Sequence, residues 1–200
     1  MMIMRAKANN LLSLLLIILV SFFSACSDDY TPKPRGYHRI ELPEHSYNKF
    51  DENCPFTFEY SKHSKLDYKR IDTNRNPCWM NILYPKFKAR VYVSYFGEHV
   101  EDSLRQLTED SRDLVMKHIV KANDIEESLI TKREDDVYGI SYDFKGSTAS
   151  NYQFFITDST DHYLHASLYF ETAPKPDSIA PVEQFVKEDI EHFIRSFEWK

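Results

Sequence analysis

Val137-Tyr138-Gly139-Ile140-Ser141-Tyr142-Asp143-Phe144, Asn151-Tyr152-Gln153-Phe154-Phe155-Ile156-Thr157 and Tyr163-Leu164-His165-Ala166-Ser167-Leu168-Tyr169-Phe170-Glu171 follow one another with short breaks between them. Each run alternates apolar with polar residues or is rich in β-branched and aromatic ones, as strands are. The breaks, Gly146-Ser147 and Asp158-Ser159-Thr160-Asp161, carry turn chemistry, so each strand folds back on the one before it. Ser128 to Arg133 extends the set upstream across Asp135-Asp136. The stretch reads as an antiparallel meander.

On the N-terminal side of the meander the period becomes helical. Leu104, Leu107, Leu114, Val115, Ile119 and Val120 form one stripe between Val100 and about Ala122, with Glu101, Asp102, Glu109 and Asp110 outside it. Earlier still, Trp79–Tyr84 and Ala89–Phe96 read as a hairpin around Pro85. Phe56, Phe58 and Tyr60 share one face of a half-buried strand. Downstream, Pro174, Pro176 and Pro181 mark a loop, and Val182, Phe185, Val186, Ile190, Phe193, Ile194 and Phe197 make the apolar face of a last helix. Strands, helix, meander and helix predict an α+β domain over residues 54–200, an antiparallel β-sheet flanked by two helices. The order of elements resembles the Mog1/PsbP-like arrangement.

The first 25 residues read as a signal peptide. Arg5 and Lys7 precede an apolar run from Leu11 to Phe23, closed by Ser24 and Ala25. That run is too short to span a bilayer, which needs about 20 residues. The signal resembles a bacterial lipobox, with Phe23 where Leu is usual, and the resemblance implies that Cys26 becomes the lipidated N-terminus. Two or more acyl chains hold a protein to a membrane without spanning it. Residues 26–53 show no convincing period and are interrupted by Pro32, Pro34 and Pro43, so they read as an extended stem. The expected location is the cell envelope, lipid-anchored at the outer membrane. Cys26-Ser27-Asp28-Asp29 resembles a signal that directs lipoproteins outward, or is solvated linker, so the face stays open.

Composition narrows the functional classes. The formal net charge is −6, and loss of Arg5 and Lys7 with the signal makes it −8, so nucleic acid is not an expected partner. There are 13 Tyr and 14 Phe but only 4 Gly, which suits a rigid, aromatic-rich sheet. Apart from Cys26 the cysteines are Cys54 and Cys78. An even pair in an oxidising compartment points to a disulfide; a buried pair of free thiols is the alternative. Closing a loop of that length contributes on the order of 3 kcal/mol in the chain-entropy model.

No Gly-rich phosphate loop, Gly-x-Ser-x-Gly, His-Glu-x-x-His or Cys-x-x-Cys is present, so no catalytic, metal or cofactor residues are assigned. Glu188 and His192 are four apart on the last helix and read as an exposed pair; His162 and His165 fall on opposite faces of a strand. Asp135 and Asp136 sit in a turn. The stem is the better candidate for binding. Lys33, Arg35 and Arg39, with Tyr37, form a basic, aromatic patch on a backbone stiffened by Pro32 and Pro34. Docking on an acidic partner, docking on its own domain and plain spacing are the alternatives.

Tyr30-Thr31-Pro32-Lys33-Pro34-Arg35-Gly36-Tyr37-His38-Arg39-Ile40, Cys54-Pro55-Phe56-Thr57-Phe58-Glu59-Tyr60, Pro77-Cys78-Trp79-Met80-Asn81 and Tyr84-Pro85-Lys86-Phe87-Lys88-Ala89-Arg90 are ordered blocks. With the lipobox ahead of them they closely resemble the gliding motility lipoprotein GldD family of the Bacteroidota. The resemblance implies a lipoprotein needed for gliding motility and the associated type IX secretion machinery. Its partners would be other gliding lipoproteins and secretion components, and it would be no enzyme. The residues also leave room for a lipid-anchored ligand-binding domain that uses the face of its sheet as a pocket.

Overall fold

The structure is a computed structural model that describes residues 40–69, 71, 74, 77–97, 100–119, 121–146, 148–171 and 176–200. The strands are β1 (Tyr47–Phe50), β2 (Phe56–Ser61), β3 (Lys65–Asp67), β4 (Met80–Tyr84), β5 (Ala89–Gly97), β6 (Ala122–Lys132), β7 (Val137–Gly146), β8 (Ser150–Thr157), β9 (His162–Phe170) and β10 (Glu198–Trp199). Helix α1 (Leu104–Ile119) stands between β5 and β6, and α2 (Pro176–Ser196) between β9 and β10. A seven-stranded sheet has the order β3-β4-β5-β9-β8-β7-β6, and a three-stranded sheet the order β1-β2-β10. Every pairing is antiparallel. The fold class is α+β, an antiparallel sheet flanked by two helices.

Period two decides which side chain meets which helix. Ile82, Val91, Val93, Phe154, Ile156, Ala166 and Leu168 point to one face, where they join Phe185, Val186, Ile190 and Phe193 of α2 in the main core. Phe56 and Phe58 of the small sheet enter the same core; Phe58 lies 4.1 Å from Phe193 and Phe56 lies 5.6 Å from Phe197, centroid to centroid. On the other face Tyr142, Phe144, Phe155 and Tyr163 pack with Val115, Leu104 and Leu107 of α1. With a helix over each face, β8 is buried along its whole length.

Four local expectations change. The stretch read as stem contains β1, and Phe50 at its end is only 1% exposed because it packs 4.7 Å from Phe58. Helix α1 ends at Ile119 and Ala122 already belongs to β6. Its buried stripe runs Leu104, Leu107, Ser111, Val115, while Leu114 is 41% exposed; Ser111 replaces an apolar residue because its hydroxyl meets Tyr163 Oη at 2.5 Å. The last helix starts at Pro176, so Pro181 lies inside it. A proline suits the first turn of a helix, where the N–H it lacks has no partner to lose, and farther in it removes one bond.

Cys54 and Cys78 are joined in a disulfide, their Cα atoms 5.8 Å apart. The bond ties the start of β2 to the start of β4, hence the small sheet to the large one.

Candidate functional site

Seven strands spaced about 4.8 Å apart make a sheet far wider than one helix of about 10 Å diameter. Helix α1 therefore covers only the β6–β9 part of its face, and among the described residues the part built on β3, β4 and β5 stays open. The gap is a groove of about 940 Å³. Trp79, Asn81, Arg90, Tyr92, Ser167 and Tyr169 line it, with Glu171 at the rim.

Register sets these side chains out in rows. Asn81 pairs with Tyr92 and Tyr92 with Ser167, while Arg90 pairs with Tyr169. Tyr92 is 44% exposed and stands edge-on to Tyr169, centroids 5.6 Å apart and planes at 80°. The Arg90 guanidinium lies 5.5 Å from the Tyr92 ring centre, a cation–π contact, and 3.6 Å from both Asp67 and Glu171. Trp79 is fixed by donating Nε1–H to the Tyr95 carbonyl and by an edge contact with Phe96 at 5.5 Å. Burial, then the neighbouring Tyr92, raises the Tyr169 phenol, so it is a neutral donor at physiological pH. The groove is thus an aromatic surface with a guanidinium held against its Tyr92 ring by two carboxylates.

Beside it, His165 is squeezed between Ser94 and Phe155 in register, and desolvation lowers its pKa to about 4. It is a neutral ring. His162 faces the other way, as alternation requires, with Nδ1 2.7 Å from Tyr95 Oη and its ring stacked 5.1 Å from Trp199. Glu188 and His192 do not form the expected pair: Glu188 meets His45 at 2.9 Å and His192 meets Glu59 at 2.6 Å. Asp135 binds Lys132 at 2.7 Å, and Asp136 takes the left-handed backbone at φ 50° that closes the turn into β7. Among the described residues no three His, Cys, Asp or Glu side chains converge as a metal site would require. Cys26, Lys33, Arg35, Tyr37 and Arg39 lie outside the described residues.

Trp79, Arg90, Tyr92 and Tyr169 escaped the sequence reading. One signal was there. In β5 the apolar set is Val91, Val93, so Tyr92 must point away from the main core; what period two does not reveal is that neither described helix covers it.

Residues 27–199 match the family model of the gliding motility lipoprotein GldD. This chain belongs to that family. Membership gives it a role in gliding motility and, as a lipoprotein, an association with the cell envelope. No helix among the described residues is long and apolar enough to cross a membrane. A search of curated proteins finds no match. Among solved structures the chain is similar to the solution structure of PsbP (CyanoP) from the cyanobacterium Synechocystis sp. PCC 6803. Identity is 11% and the TM-score 0.39, over 82% of this chain and 98% of the other.

Proposed function

We propose that this GldD-family lipoprotein is a non-enzymatic assembly component of the gliding apparatus and its associated type IX secretion machinery. Fatty acyl chains on Cys26 tether it at the outer membrane, and the groove is the surface that holds a partner protein. The observation that carries this reading is the composition of the groove. Trp, Tyr and Arg are the residues enriched where protein partners bind tightly, and here they stand together, pre-positioned, on an open face. The stem residues Lys33, Arg35, Tyr37 and Arg39 supply a second, basic contact to an acidic partner. A ligand-binding domain is the other reading; buried Asn81 and Ser167 in the groove floor favour it.

A photo-crosslinking amino acid at Tyr92, introduced in living cells, separates the two. Discrete protein adducts support a partner surface, and adducts of low mass support a ligand. A protein that crosslinks to nothing from Tyr92 or Tyr169 overturns both uses of the groove. Arg35→Glu with Arg39→Glu tests the stem: gliding and secretion should fall while the lipoprotein stays present and folded.

A further inference from the structure

Three imidazoles fasten the short arm of residues 44–47 to the body. His45 stands between two carboxylates of α2, with Nδ1 2.7 Å from Asp189 Oδ1 and Nε2 2.9 Å from Glu188 Oε2. Its ring also stacks on Phe185, centroids 4.3 Å apart. His63, beyond β2, donates Nε2–H to the Glu44 carbonyl at 3.0 Å. Tyr47 lies flat on His192, centroids 3.5 Å apart and planes 8° apart, and His192 Nε2 is 2.6 Å from Glu59.

A neutral imidazole has one N–H and one bare nitrogen. A ring whose two nitrogens both face carboxylate oxygens is satisfied when it carries both protons. Deprotonation turns one of the two contacts of His45 into lone pair against lone pair. The same loss weakens His192 against Glu59. We propose that the arm is a proton-dependent strap, latched while His45 is an imidazolium and slackened when it is neutral, with His192 acting in the same direction.

The surrounding charges favour the latched state. Asp189 has a fully buried side chain, and Glu188 and Glu59 add to the acidic side, against Arg195 near Tyr47 and the His63 ring, which packs on the same Phe185 as His45. Burial first, then the charge of Asp189, pushes Tyr47 up to about 12 and Tyr84 well above its ordinary value, so both stay neutral donors. Glu188 is held below its ordinary value by a bond from Gln184, against burial and with help from His45. Glu188 therefore stays a carboxylate below the range in which imidazoles lose their proton. Losing the proton costs the docked ring a contact and the free ring none, so docking weakens as pH rises.

Hydrogen exchange of the full-length lipoprotein in detergent tests this, with backbone amides of residues 44–50 followed at about pH 5.5 and about pH 8 and corrected for intrinsic rates. Protection should fall severalfold on going to the higher pH, as the docked ring loses one of its two carboxylate contacts. In His45→Gln, which keeps a donor and an acceptor but does not titrate, the fall should shrink severalfold. Equal protection at both pH values, or an undiminished fall in His45→Gln, overturns the proposal. If that variant fails to fold, Glu188→Gln at the half-exposed pole replaces it, and an undiminished fall there counts equally against the strap.

Discussion

Lys187 of α2 sends its ammonium to Asp143 of β7, 2.5 Å away, with only 5% of the lysine exposed. Glu183, one turn earlier, takes the same ammonium at 2.6 Å. Removing this buried cation leaves Asp143 with only the half-exposed Lys145 and Glu183 with only the Asn151 amide, two carboxylates short of a buried counter-charge. Lys187→Ala should therefore destabilise the domain by about 3 kcal/mol. Adding Asp143→Asn and Glu183→Gln to Lys187→Met should restore most of that, because the under-compensated carboxylates are gone. Urea midpoints at constant m-value provide the measurement, and equal midpoints for wild type and Lys187→Ala would remove the triad from the account of how α2 is held.

Gly139 is a tighter constraint than its place in a strand suggests. A Cβ built there would stand 1.9 Å from the Phe155 carbonyl oxygen and 2.9 Å from its carbon, both backbone atoms of the neighbouring strand β8. The sheet has to spread for any side chain to fit. Gly139→Ala should destabilise by about 3 kcal/mol, the upper end of what overpacking costs, and a thermal shift within error of wild type would contradict the close approach.

Asp158 organises the β8–β9 turn. Its Oδ1 accepts N–H bonds from Thr160 at 2.9 Å, Asp161 at 3.0 Å and His162 at 2.9 Å. Partial burial opposes ionisation, but the bonds from Thr160 and His162 outweigh it and hold the carboxyl below its ordinary value. A lowered folded-state pKa gives stability that is present above the ordinary aspartate value and lost as pH falls through the folded value. Asp158→Asn should cost about 1 to 2 kcal/mol near neutral pH, and the gap to wild type should close below about pH 4. A gap that stays constant down to acid would mean that the charge is not what the turn uses.

Much of this architecture was legible because period two is local. Val91 and Val93 on one side of β5, Tyr92 and Ser94 on the other, assign faces without any tertiary knowledge. Element order then sufficed for the class. What was hidden depends on distant partners. Tyr47-Asn48-Lys49-Phe50 is too short to show a period, and it becomes a strand only because β2 offers Phe58 to Phe50 in register. Lys187 sits inside an apolar helical face and looks like a flaw until Asp143, 44 residues away, is brought beside it. The groove was hidden for a different reason: it arises from the width of seven strands against one helix, and no residue encodes that ratio. The histidine strap was hidden likewise, since Glu188 and His192, read as partners of each other, each face another element.

The Cys54–Cys78 bond invites a direct stability test. Replacing both by Ser should lower stability by about 3 kcal/mol, and reductant added to the native protein should shift the melting temperature in the same direction. Melting unaffected by either treatment would show that the sheets hold together without the crosslink.

That crosslink also changes what a broken backbone means. Residues 54 and 78 are joined both through the chain and through their sulfurs, so the intervening segment is a closed ring. A protease that cuts any one peptide bond within that ring leaves a single covalent molecule, with β2 still attached to β4. One cut there opens the ring without parting the chain, and two pieces separate only once the sulfur bridge is also reduced.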